Sequence, residues 1–119
     1  MKRPSLFLLL LAAACKSESA KLAEELDRSS SWLATVAEVR KTTAANRTPT
    51  RFSADVVRDA RDELTKSAGK IAGAEPADIA AQGKRLIEAS RTRMSDTAWL
   101  EAAADTLKDL SDRARQQKK

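Results

Sequence analysis

One thiol and a few clusters of like charge are the side chains in this 119-residue chain whose types and spacing bear on chemistry. Cys15 is the sole cysteine, and the chain has no histidine and no tyrosine. A cysteine nucleophile therefore has no imidazole to activate it, and the usual general base near neutral pH is missing. Glu24 with Glu25, and Asp59 with Asp62 and Glu63, supply carboxylates. Acid–base work needs such groups buried and held at a defined separation across a cleft, whereas basic neighbours surround these. The pairs Arg58/Asp62, Lys84/Glu88 and Asp109/Arg113 stand four residues apart and read as a solvated helix face. A non-enzymatic protein is expected. No metal or cofactor is expected either, because no calcium-loop pattern, haem-attachment motif or glycine-rich phosphate loop occurs.

Two basic clusters remain. Arg40, Lys41, Arg47 and Arg51 follow one another without an intervening acid, and Arg113, Arg115, Lys118 and Lys119 close the chain. Both are candidates for contact with anionic lipid head groups or cell-wall carboxylates, through a Coulomb attraction that salt screens. The plainer reading of the second cluster is a frayed, solvated terminus. Neither has interleaved aromatic residues, so nucleic acid is not an expected partner. Trp32 and Trp99 read as packing residues at the edge of a core, with a two-tryptophan ligand platform as the alternative. Asn46-Arg47-Thr48 fits a glycosylation sequon.

The thiol has a context. Met1-Lys2-Arg3 is a charged start, and Leu6 to Ala14 is an apolar run too short to span a bilayer, which takes about 20 residues. Residues 1–14 thus have the layout of a secretory signal, and Leu11-Ala12-Ala13-Ala14-Cys15 resembles the lipobox of bacterial lipoprotein precursors. That resemblance implies cleavage before Cys15, diacylation of its thiol and acylation of the new amino group, palmitate being a usual chain. The family most often has leucine three residues before the cysteine, where this chain has Ala12. An ordinary signal peptidase reading Ala12-x-Ala14 is the alternative, and it leaves a free thiol. An unpaired cysteine in an oxidising compartment is a liability unless modified. Two or three acyl chains anchor stably where one binds marginally.

The resemblance carries further implications. Lys16 after the cysteine fits sorting to the outer membrane, facing the periplasm, in a two-membrane bacterium, since aspartate there favours inner-membrane retention. The terminal Lys119 is similar to the last lysine of murein lipoproteins, which is joined to peptidoglycan. That family forms a long coiled coil, whereas Pro49, Gly73 and Pro76 interrupt this chain. The expected protein is a small helical lipoprotein of the cell envelope that meets an envelope protein or peptidoglycan. The alternatives are a tether bridging membrane and wall through its basic C-terminus, and a secreted helical ligand-binding protein.

Removing the leader leaves 105 residues with 20 basic and 17 acidic side chains. Leu, Ile, Val and Phe number only 16 of these, yet low net charge and twenty alanines favour packed helices over disorder. After a tether over residues 15–20, Leu22, Leu26, Ser29, Leu33, Val36 and Arg40 step by four and three along one face of a helix over about 18–45. Residues 46–51 lack apolar side chains and read as a loop, with Pro49 disfavouring helical geometry at Thr48.

Ser53 is the expected cap of the second helix, with Phe52 and Val57 as a hydrophobic staple. Val57, Ala60, Leu64, Ser67 and Ile71 line its face, and Gly73 ends it. Pro76 suits the first turn of a third helix carrying Ile79, Gly83, Leu86, Ile87 and Ser90. Gly83 marks either a close helix approach or a looser surface position. Ser95 offers the next cap, with Met94 and Trp99 as its staple, ahead of Leu100, Ala103, Leu107, Leu110 and Ala114. The fold class expected is all-α: a small antiparallel bundle of three or four helices over residues 21–116, with a basic tail at 117–119.

Overall fold

The computed structural model describes residues 17–47 and 49–116. The leader, Cys15, Lys16, Thr48 and the tail at 117–119, including Lys118 and Lys119, lie outside the described residues. Among the described residues four helices make up the regular structure: α1 (Glu18–Ala44), α2 (Thr50–Ile71), α3 (Ala77–Ser90) and α4 (Thr97–Gln116). The protein is an all-α antiparallel bundle.

Each helix exists because its apolar stripe needs a partner. Leu22, Leu26, Leu33 and Val36 of α1 are fully buried, as are Leu64 and Ile71 of α2, Ile79 and Ile87 of α3, and Leu100, Leu107 and Leu110 of α4. A buried side chain of this size contributes about 2 kcal/mol. α1 is the hub. It packs against α4 on one side and α2 on the other, α3 closes the gap, and α2 makes no contact with α4. Alanines 103 and 104 let α4 lie close enough for the Ser30 hydroxyl to donate to the Ala104 carbonyl at 2.7 Å.

Gly83 marks a close helix approach. A Cβ there would stand 2.5 Å from Leu26 Cδ2 and 3.5 Å from Ile71 Cδ1, so the missing side chain is what lets α3 seat against α1 and α2.

The helix ends depart from expectation in three places. α2 begins at Thr50, with Pro49 at the cap position and no side-chain cap bond. Ser53 is therefore not a cap but a buried residue of the helix, and Phe52 is 54% exposed rather than stapled to Val57. The reason is tertiary: Ser53 continues the face of Val57, Ala60 and Leu64, and burying that face extends the helix by a turn. Pro76 likewise sits just before α3. The third change is one of register, since the side chain of Asp96, not Ser95, accepts from the Trp99 amide at 3.1 Å. Met94 is then freed to bury in the core, and the turn at 91–96 separates α3 from α4.

Helix order fixes two poles. α1 is about 40 Å long at 1.5 Å per residue. One pole holds the start of α1, the hairpin between α2 and α3, and the end of α4. The other holds the turn between α1 and α2 and the turn between α3 and α4.

Candidate functional site

The second pole gathers the arginines. α1 ends in a Schellman motif, in which the Arg47 amide donates to the Thr42 carbonyl at 2.8 Å and the Asn46 amide to that of Thr43 at 3.0 Å. Asn46 takes the left-handed conformation this requires, at φ 61°. The motif throws Arg47 outward beside the start of α2, whose first turn carries Arg51 and no acid. Arg58 and Arg61 follow about two and three turns further on. Arg40 comes from α1, half-buried, its Nε donating to the Met94 carbonyl at 3.0 Å. Arg91 and Arg93 add to the same pole from the turn before α4, Arg93 lying 5.1 Å above the Trp99 ring.

Between α1 and α2 at this pole runs a groove of about 360 Å³, lined by Arg40, Thr43, Thr50, Ser53, Ala54, Val57, Arg58, Arg61 and Asp62. Ala54 and Val57 supply apolar lining and the arginines a basic rim. The Ser53 hydroxyl is buried in it without a hydrogen-bond partner. Arg58 is drawn toward Asp55 and Asp59, each at 3.5 Å, rather than the expected Asp62. Among the described residues Arg47, Arg51 and Arg61 form no ion pair. Residues 40–61 hold six basic and two acidic side chains, while the rest of the chain from Cys15 onward holds fourteen and fifteen.

The first pole is built the other way, with its charges paired. Asp27 of α1 receives the Ser111 hydroxyl at 2.5 Å, Lys108 Nζ at 3.4 Å and the Arg115 guanidinium. Burial pushes the Asp27 carboxyl up, but the bonds from Arg115 and Ser111, with the charges of Arg115 and Lys108, outweigh it and hold the group below the ordinary carboxylate range. The bond to Asp27 in turn raises Arg115. Glu25 pairs with Arg28 at 2.9 Å and Lys70 at 3.6 Å, beside a groove of about 380 Å³ floored by Leu22, Ile71 and Ala74.

The residues singled out in sequence are thus divided. Arg40 and Lys41 serve the fold, Lys41 by a bond to Glu101 that raises its pKa, whereas Arg47 and Arg51 face solvent. Arg113 is exposed on α4, and Arg115 is tied to α1. Of the candidate carboxylates, Glu25, Asp59 and Glu63 stand in ion pairs, and no three His, Cys, Asp or Glu side chains among the described residues gather as a metal would require. Trp32 and Trp99 are both half-buried against the core, and the shallow groove that Trp32 borders with Asp27 and Thr35 does not include Trp99.

Sequence reading missed Arg58, Arg61 and Ser53 as groove residues. Arg51 and Arg58 stand seven apart and Arg58 and Arg61 three apart, a helical spacing that was there to be used. Asp27 carried no such signal, because its partners lie more than eighty residues away.

No protein-family model matches the chain, no curated protein matches it, and no solved structure matches it.

Proposed function

We propose that the protein is a small, non-enzymatic lipoprotein of the bacterial cell envelope, held to a membrane through acyl chains on Cys15 and presenting its helical bundle to an envelope partner. The observation that carries this reading is the start of the sequence: the basic n-region, the short apolar run and the cysteine directly behind Ala12-Ala13-Ala14. Among the described residues no helix is long and apolar enough to cross a membrane. Attachment through the lipid is the proposed contact, with the outer membrane facing the periplasm favoured by Lys16.

The geometry of the bundle supports a division of labour. α1 begins at Glu18, three residues from Cys15, a reach of at most about 10 Å. The first pole would lie at the lipid surface and the arginine pole about 40 Å out. Tethering then raises the local concentration of the outward face for whatever it recognises. Arg113 belongs to the anchored pole, because Arg115 of the same helix is bonded to Asp27 in the first half of α1. There it meets anionic head groups, and Lys118 and Lys119 follow it in the sequence. The last helix ends at the anchored pole, three residues before Lys119, so a wall bridge through that lysine would use little of the bundle's length.

Cell fractionation tests the proposal. The protein is expected in the membrane fraction and in the detergent phase, labelled by a clickable palmitate analogue, and Cys15→Ser is expected to lose the label and move to the aqueous phase. A Cys15→Ser chain that stays membrane-bound and unprocessed, beside an unlabelled parent, would overturn it.

A further inference from the structure

We propose that the groove between the last turns of α1 and the first turns of α2 is a binding site for an organic carboxylate with a short apolar body, such as the free C-terminus of a peptide ending in small residues. The inference deepens the reading above by naming the chemistry of the outward face, but its geometry does not depend on acylation of Cys15.

Three independent features converge there. First, Arg40, Arg58 and Arg61 border the groove while Asp62 is the acid at its lip, and Asp55 and Asp59 lie within reach of Arg58. Arg61 has no ion-pair partner among the described residues. Second, the Ser53 side chain, 1% exposed, lines the groove with its hydroxyl unsatisfied. A buried hydroxyl without a partner is disfavoured, and an incoming oxyanion would accept a hydrogen bond from it. Third, the amino end of α2 opens here with Pro49 at the cap position, no side-chain cap bond and Arg51 in the first turn. The positive end of a helix favours an acid at that place, so the chain has set a cation where the fold alone would want the reverse.

The ligand chemistry follows from the lining. A guanidinium fork matches a planar carboxylate in a bidentate manner. Ala54 and Val57 make the floor apolar, and about 360 Å³ is more room than a lone inorganic anion fills, so the ligand should bring methyl groups as well as charge. Acetyl-alanyl-alanine has both, and its C-terminal amide is the same body without the charge.

The test uses the full-length protein extracted from its native membrane in a nonionic detergent, titrated by calorimetry and by amide chemical shifts. Acetyl-alanyl-alanine is expected to bind and to shift the Ser53, Val57 and Arg61 amides, its amide at least tenfold more weakly. Arg61→Ala and Ser53→Ala are each expected to weaken binding, Arg61→Ala by at least tenfold, with the melting temperature unchanged in Arg61→Ala; Lys66→Ala should bind as the parent does. Equal binding of acid and amide, inorganic phosphate binding as tightly as the peptide, or shifts confined to other residues would overturn the site. Co-sedimentation with isolated cell-wall sacculi, lost in Arg61→Ala, would assign the carboxylate to wall peptides; peptide binding without co-sedimentation would assign it to other peptide C-termini and still uphold the site. The mass of Cys15 in the same preparation reports separately on the anchor, so failure of one claim leaves the other readable.

Discussion

The two poles of the bundle use the same kinds of residue to opposite ends. At the first, Asp27 collects Arg115, Lys108 and Ser111 from α4, and Glu25 collects Arg28 and Lys70, so cations there are consumed in holding helices together. At the second, Arg40, Arg58 and Arg61 border a groove, Arg61 without an ion pair among the described residues, while Arg47 and Arg51 face solvent close by. Like charges that outnumber the acids around them lower stability. Their placement beside the positive end of α2 is the feature on which the proposed carboxylate site rests.

The two poles are joined by one core and should unfold as one cooperative unit. Leu26 is fully buried at the junction of α1 and α3, so Leu26→Ala is expected to lower stability by about 3 kcal/mol. A single urea transition by circular dichroism and by tryptophan fluorescence checks this, and two separated transitions would divide the bundle. Gly83→Val presses on the same contact from the other side, where a Cβ already falls 2.5 Å from Leu26 Cδ2. Its expected cost is about 2 kcal/mol, and the same urea melts measure it. Combined with Leu26→Ala the cost should fall below the sum, because shortening Leu26 vacates the space that the introduced valine side chain would need.

Asp27→Asn removes the acceptor of the first pole and is expected to cost about 1 kcal/mol at neutral pH, a figure reduced for its partial exposure. Because the folded carboxyl titrates below its unfolded value, its contribution is fully present above the unfolded value of about 3.9 and is lost as pH falls through the folded value. Thermal melts should therefore show the parent and Asp27→Asn converging in acid. Arg51→Glu at the other pole is expected to raise stability by about 0.5 kcal/mol, by setting an acid at the amino end of α2. A loss of stability in its thermal melt would mean that Arg51 serves the fold after all.

Much of the fold was legible in the sequence because helical periodicity is local. The stripes through Leu22 to Val36, Val57 to Ile71 and Leu100 to Ala114 are the buried faces observed, and Gly83 stands where helices meet. The helix starts were less legible. A cap depends on one or two residues, and the burial of Ser53 and the better-placed Asp96 overrode the serines that looked right in isolation. The site was partly legible: of the visible run Arg40, Arg47 and Arg51 only Arg40 lines the groove, and Arg58, Arg61 and Ser53 join it only once α2 is laid against α1. The partners of Asp27 are set by tertiary packing alone.

The central claim is that Cys15 anchors the first pole and leaves the arginine pole facing outward, and it is tested most directly by the intact mass of the protein extracted from its native envelope. The account predicts a chain beginning at Cys15 and carrying a diacylglyceryl group, with a further acyl chain on the new amino terminus. A chain that retains residues 1–14, or one cut before Cys15 with an unmodified thiol, would contradict it.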